Sequence, residues 1–188
     1  MKMNRLITTA LVLAAILSAA ACTKEKREAT YNSQEEKIDK YIAGNMYKTV
    51  EGKTDTLRVE YNGGTSRLVL KEGIGEELKA DGTVSFYYAG YTFNGSKSSS
   101  NMFITNHKET AEDSHWDLSD PSYEVMTVKM ADTDLIPGLK EGLIGVKSME
   151  QCQILFSGKY GFGEKPFGII PAESALMFEI WVVAVSNE

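Results

Sequence analysis

The chain has 188 residues and a formal net charge of −6. That length suits one domain with a short extension and is enough to bury a hydrophobic core. The acidic balance excludes the basic footprint of a nucleic-acid binder and otherwise speaks to solubility rather than to chemistry.

The N-terminus supplies positive charge at Lys2 and Arg5, then the apolar run ALVLAAILSAAA (residues 10–21). The run is too short to span a bilayer comfortably, and small residues lead into Cys22, which is the plan of a secretory signal. Cys22 after Ala19-Ala20-Ala21 resembles a bacterial lipoprotein lipobox, with Ala19 where that motif more often has Leu. The alternative is an ordinary signal peptide with an incidental cysteine. The expected organisation is a signal peptide over 1–21, a lipid-anchored tether with a short helix over 22–55, and a folded domain over 56–188. Its implied place is the cell envelope, attached to a bacterial membrane through Cys22. Cys152 is then the one remaining cysteine, so stability must come from the core rather than from an intramolecular disulfide.

TKEKREATYNSQEE (23–36) has the composition of a disordered tether. QEEKIDKYIA (34–43) places Ile38, Tyr41 and Ile42 at i, i+3, i+4, the spacing of an amphipathic helix. Asn32 or Ser33 can cap it and Gly44 can end it. The helix either docks on its own domain, the default, or pairs two copies. From Thr56 the pattern becomes period two. TLRVEY, a turn at NGG, and SRLVLKEG read as a hairpin. TVSFYYAGY (83–91) puts Val84, Phe86 and Tyr88 on one face. Residues 96–122 are polar and lack a steady period, apart from a short helix near 108–114, and read as a long inserted loop. YEVMTVKM resumes as a strand, and LIPGLKEGLIGVKSME (135–150) reads as a short helix begun by Pro137 and ended by Gly145. EQCQILF follows as a strand with Cys152, Ile154 and Phe156 on one face. SALMFEIWVVAV is apolar on nearly both faces, as a central strand would be. The sum is an α+β fold, an antiparallel sheet of five or six strands with one short helix across it.

The segment YGFGEKPFGIIPAESALMFEI (160–180) is a Gly/Pro-rich loop that carries Phe162, Phe167, Ile169 and Ile170. Loops are normally polar, so this one is either a lid on the core or the lining of a pocket for an apolar ligand. By periodicity alone Tyr88, Ile136 and Phe178 read as core more readily than as a site. His107 and His115 lie in the long loop at a spacing of eight, which suits no common metal pattern. No metal or cofactor is expected. Trp116 either anchors the loop or touches a client chain, anchoring being the default, and Cys152 reads as a small buried hydrophobe.

Together VSFYYAGY, LIPGLKEGLIGVK and GFG…GIIPAESAL resemble the FKBP-type peptidyl-prolyl isomerases, in order and spacing, over roughly Leu68 to Val185. The resemblance implies a bent antiparallel half-barrel sheet wrapped around one short helix, here with an N-terminal helical extension. A shallow apolar pocket lies between sheet and helix, overhung by the GIIP loop. It implies proline-containing polypeptides as partners and cis–trans isomerisation of the X-Pro bond as the activity. Carried over residue by residue, it gives Tyr88, Ile136 (through its backbone N–H), Phe162, Ile170 and Phe178 as the catalytic set. Phe103, Met126, Leu135, Leu139 and Ile169 complete the substrate-binding set. Phe162 stands where the family usually has tyrosine, and Leu139 where many members have tryptophan. SKSSS stands where a Phe-Asp pair is usual, leaving Phe103 to enter from the longer loop with Ile104 after it. Both missing polar groups predict weakened turnover. The expected function is therefore an isomerase that assists folding of exported or envelope proteins. The alternative is a prolyl-peptide-binding chaperone or scaffold lipoprotein, and a third reading makes the long loop and the Ile38 helix an assembly surface.

Overall fold

The computed structural model describes residues 2–50, 53–116 and 123–188. Side chains before Thr23 lie outside that description, so the expected lipidation at Cys22 does too, as do residues 117–122 of the expected loop. The chain opens with helix α1 (Lys2–Asn45). The disordered tether expected over 23–36 is thus helical, and the helix neither starts at Asn32 or Ser33 nor stops at Gly44. One stripe explains this: Tyr31, Ile38 and Ile42 are all buried against the domain. Burial of each such side chain is worth roughly 1.5–3 kcal/mol, enough to hold a segment whose composition alone favours disorder. The default expectation that the helix docks on its own domain holds.

A small hairpin follows, β1 (Tyr47–Val50) with β2 (Lys53–Thr56). YKTV and KTDT carry no apolar alternation, which is why the sequence did not announce this hairpin. The main sheet has seven strands, more than the expected five or six. They are β3 (Val59–Asn62), β4 (Thr65–Lys71), β5 (Thr83–Thr92), β6 (Met102–Thr105), β7 (Met126–Lys129), β8 (Gln151–Phe156) and β9 (Leu176–Ser186). The order β3-β4-β8-β9-β5-β6 is antiparallel throughout. β7 pairs with the first half of β5 and β6 with the second half, so together they form one interrupted edge. The region expected as irregular over 96–122 therefore contains a strand, β6, as well as the anticipated helix α2 (Lys108–Asp113).

Helix α3 (Pro137–Leu143) starts at the expected proline and lies across one sheet face. Its approach is close. A Cβ on Gly138 would sit 2.3 Å from the Phe156 ring, and one on Gly142 2.2 Å from Ile154 Cγ2. Behind α3 the first core cluster gathers Val84, Phe86, Ile154, Phe156, Phe178 and Ile180 with Leu139 and Leu143. The opposite face carries Leu68, Ala89, Tyr91, Leu155 and Met177, and α1 covers it with Ile38 and Ile42. The expected sheet wrapped around one short helix, with an N-terminal helical extension, is what the chain has, and α1 covers the face that α3 leaves open. Trp116 packs against this second cluster, which gives it the anchoring role.

The C-terminal end of α3 is held by Arg67, a buried residue of β4. Its guanidinium donates to the carbonyls of Gly142 (2.8 Å) and Ile144 (2.7 Å), where the helix leaves carbonyls unpaired. Glu150, fully buried, lies 3.5 Å from Arg67 Nε and 3.3 Å from Arg58.

Candidate active site

The strand periodicity of β5 sends Phe86 and Tyr88 to the face where the N-terminal end of α3 begins. There the sheet, helix and the loop between β8 and β9 enclose a pocket of about 340 Å³, within the range of small-ligand sites, ~300–1,000 Å³. β5 contributes Phe86 and Tyr88, β6 Phe103 and Ile104, β7 Met126, and β9 Phe178. Asp134, Leu135 and Ile136 lead into α3, which adds Leu139, and the loop adds Phe162 and Phe167 to Ile170. All ten residues named from the sequence for substrate or catalysis line this one cavity.

The aromatic rings form a connected wall. Phe103 meets Phe178 edge-on at 5.9 Å (85°) and Phe162 at 6.5 Å (76°), and Phe162 stacks on Phe167 at 4.6 Å (7°). Edge-to-face and stacked pairs contribute about 0.5–1.5 kcal/mol each beyond area burial. Phe103 fits because Gly90 lies opposite: a Cβ there would fall 2.8 Å from Phe103 and 2.9 Å from Phe178. The aromatic that SKSSS lacks thus reaches the pocket from β6, and Ile104 lines the cavity beside it.

The overhanging loop closes on itself through a bridge between Phe167 and Ile170, with N–H···O distances of 3.0 and 2.9 Å. Ile170 is buried under it. Ile169 is 80% exposed and Phe167 61%, so both form a greasy rim rather than a floor.

Polar groups are few. Burial pushes the Tyr88 hydroxyl above the ordinary tyrosine range, so it stays a neutral O–H at any physiological pH. The backbone of Tyr88 is clamped by Asn106, whose side-chain oxygen accepts from Tyr88 N–H (2.6 Å) and whose amide donates to the Glu124 carbonyl (2.8 Å). Asn106 is itself buried and spans the gap between β6 and β7. Among the described residues the Ile136 N–H has no acceptor, which leaves it free to donate to a ligand carbonyl.

Sequence reasoning did not assign Ile104, Asp134, Phe86 or Gly168 to the site, and treated Phe167 only as part of an apolar loop. Position beside predicted site residues was a signal for Ile104 and Asp134. Asn106 carried none, because a polar residue in a polar stretch looks solvated. His107 caps α2 and stacks on Trp181 at 3.9 Å (4°), and no metal cluster of His, Cys, Asp and Glu occurs among the described residues.

The profile of the FKBP-type peptidyl-prolyl cis-trans isomerases matches residues 75–183. The chain belongs to the FKBP family. FK506-binding protein 1 of Aspergillus oryzae is 24% identical to it over 124 residues, 65% of this chain and 99% of that protein. Peptidyl-prolyl cis-trans isomerase FKBP9 of Mus musculus is 42% identical over 53 residues, 28% of this chain and 9% of that protein. Among solved structures, FkpA from Escherichia coli superposes with a TM-score of 0.57 at 19% identity, over 97% of this chain and 71% of that one. A peptidyl-prolyl isomerase from Pseudomonas syringae gives 0.56 at 18% identity, over 85% and 96%. At such identity these two likenesses speak to the fold, and the expected FKBP-like α+β architecture with an N-terminal helix is what the chain has.

The FKBP chemistry accounts for an apolar site. Rotation about the amide is resisted by C–N double-bond character, a barrier of ~18–20 kcal/mol. No proton transfer and no nucleophile is needed. A pocket need only bind the twisted, less polar amide better than the planar one, and an aromatic cavity with one or two donors is suited to that.

Proposed function

We propose that this pocket takes a prolyl ring of an extended or unfolded polypeptide and isomerises the preceding bond, more slowly than an FKBP with the full polar complement. The observation that carries the reading is the aromatic cavity itself, with Tyr88 and the free Ile136 N–H among its few polar groups. Phe162 stands where tyrosine is usual and SKSSS where a Phe-Asp pair is, with Ile104 rather than aspartate after Phe103, so two groups able to polarise the twisted carbonyl are missing. We further propose that Cys22 is lipidated and that the protein works on exported chains in the cell envelope of a bacterium. On that reading Arg27, five residues along α1, already bonds the domain. A helix rises 1.5 Å per residue, so the pocket loop would sit within about 10 Å of the anchor along the axis.

The test is acceleration of a proline-limited refolding reaction by the full chain, beside a Tyr88→Ala, Phe103→Ala variant checked for folding by circular dichroism. Both residues are only partly buried, which spares the core. Acceleration that vanishes in the variant supports the reading; acceleration that persists refutes it. The exposed Phe167 and Ile169 favour a second reading, a holding chaperone with little turnover. It predicts suppression of client aggregation by wild type without acceleration of refolding.

A further inference from the structure

The loop that overhangs the pocket is tied from behind by α1. Gln34 bridges its two ends: its side-chain oxygen accepts from Gly158 N–H (2.8 Å), and its amide donates to the Glu173 carbonyl (2.7 Å). Two turns earlier, Arg27 donates through Nε to Glu173 Oε1 (2.9 Å) and forms an ion pair with Glu164. Between these fixed points run Phe162, Phe167, Ile169 and Ile170, a large share of the pocket's lining.

Glu173 shows that the tie does more than rest on the surface. Its φ is +57°, a left-handed conformation that is uncommon for a residue with a Cβ. Such a residue persists where its surroundings over-determine it. Here the Glu173 N–H donates to the Gly163 carbonyl (2.8 Å), Gln34 binds its carbonyl and Arg27 its carboxylate. The loop is also pressed closely on the end of β8: a Cβ on Gly158 would lie 2.2 Å from the Glu173 oxygen.

We propose that α1 is a brace on the pocket loop, and that Arg27 and Gln34 are positioning residues that set the affinity of the pocket for its peptide. The proposal rests on the reading that the pocket binds prolyl peptides. Neither residue touches the cavity, so each acts only through the loop. With the brace released, Glu173 relaxes towards negative φ and the loop carrying Ile170 and Phe162 samples positions away from the ligand. The walls on β5, β6 and β9 stay where the sheet holds them.

The experiment uses the full chain in detergent with Arg27→Gln, Gln34→Ala and the pair combined, and a blocked Ala-Leu-Pro-Phe tetrapeptide as probe. The combined variant is expected to raise KM about three- to tenfold, the loss of a few partly exposed polar contacts, with kcat within about twofold. KM of the wild type should rise with salt, because the Arg27 pairs are partly exposed and screened; KM of Arg27→Gln should not. Unchanged KM in the combined variant, or a kcat loss that tracks a fall in melting temperature, overturns the proposal. A second readout needs no substrate. Amide exchange in the ligand-free combined variant should speed up across 161–174 and nowhere else outside α1, and unchanged exchange there overturns the brace. A wild type that neither binds nor isomerises the peptide refutes the functional reading, and the exchange measurement still decides the brace.

Discussion

Phe162→Tyr restores the hydroxyl that this pocket lacks, and should speed the enzyme. The ring is stacked on Phe167 at 4.6 Å and edge-on to Phe103 at 6.5 Å, ring contacts that a tyrosine also makes. Stability is therefore expected to stay within about 0.5 kcal/mol of wild type, as for a substitution that disturbs no packing. The new O–H joins a cavity whose polar groups are few, so a carbonyl turned towards it has little competing donation. A neutral hydrogen bond contributes about 0.5–1.5 kcal/mol net. At 1.36 kcal/mol per factor of ten that is roughly a 2- to 13-fold gain in kcat/KM. The assay is isomerisation of the blocked Ala-Leu-Pro-Phe peptide, with its dissociation constant measured separately. A gain in kcat means that the hydroxyl favours the twisted amide. A fall in KM with kcat unchanged means that it binds planar and twisted forms alike. A folded variant with unchanged or lower kcat/KM refutes the argument that lost polar groups weaken turnover here. Ile104→Asp, at a position 39% exposed where a carboxylate remains hydrated, should add to the gain in the combined variant.

Arg67→Met leaves Glu150 without its buried partner and the carbonyls of Gly142 and Ile144 without their donor, and should destabilise the fold by about 3–5 kcal/mol, read by urea denaturation. Burial pushes the Glu150 carboxyl above the ordinary range and Arg67 and Arg58 oppose that shift. A raised carboxyl contributes most in acid and loses that contribution as pH rises through its folded pKa, so the Arg67→Met deficit should shrink as pH falls towards 4. Burial lowers His107 below its usual 6.5, against the pull of Glu109 and Glu179. The unfolded chain then binds the proton more readily, so stability falls as pH drops through that range. His107→Asn, which keeps a helix-capping oxygen, should flatten this part of the melting profile. Burial also pushes the Cys152 thiol up, so it should resist alkylation until the chain unfolds. With Cys22 lipidated, exported full chain should show no reactive thiol when native and one in denaturant. A native-state reactive thiol would refute either the lipidation or the burial.

What the sequence made legible was whatever repeats at a fixed period or sits in a fixed motif. The alternation in TVSFYYAGY put Tyr88 on the same face as Phe86, and the ladder of β5 with β9 sets Gly90 opposite Phe178. Pro137 fixed the start of α3, and the GIIP segment fixed the loop. The interrupted edge was not legible. β6 has four residues behind a serine-rich run, and its pairing with β5 rests on register, Gly90 opposite Ile104, rather than on alternation. Helix α1 was half legible for a similar reason. Ile38 and Ile42 announce an apolar stripe, but its continuation through Gln34 and Arg27 binds the domain by hydrogen bonds and charge. A hydrophobicity pattern cannot register those contacts.

The two kinds of contact divide the pocket into parts of different firmness. Phe178 lines the pocket while its neighbours point to the other face, Met177 into the cluster that α1 covers and Glu179, itself buried, to Lys97, so one central strand fixes a pocket wall and the bed of the N-terminal helix together. Tyr88, Phe103 and Phe178 are held by backbone ladders on β5, β6 and β9, which open only with the sheet. The loop from Gly158 to Glu173 has no such ladder beyond its own Phe167–Ile170 bridge. Its placement depends on side chains of α1 that are partly exposed and partly charged. An isomerase of this type works by differential binding, and the walls supply the part that distinguishes twisted from planar. The loop governs how long the peptide stays. Substitutions along the Arg27–Gln34 face should accordingly move KM, and substitutions at the wall residues Tyr88, Phe103 or Phe178 should move kcat. A brace variant that changed kcat alone would contradict that division.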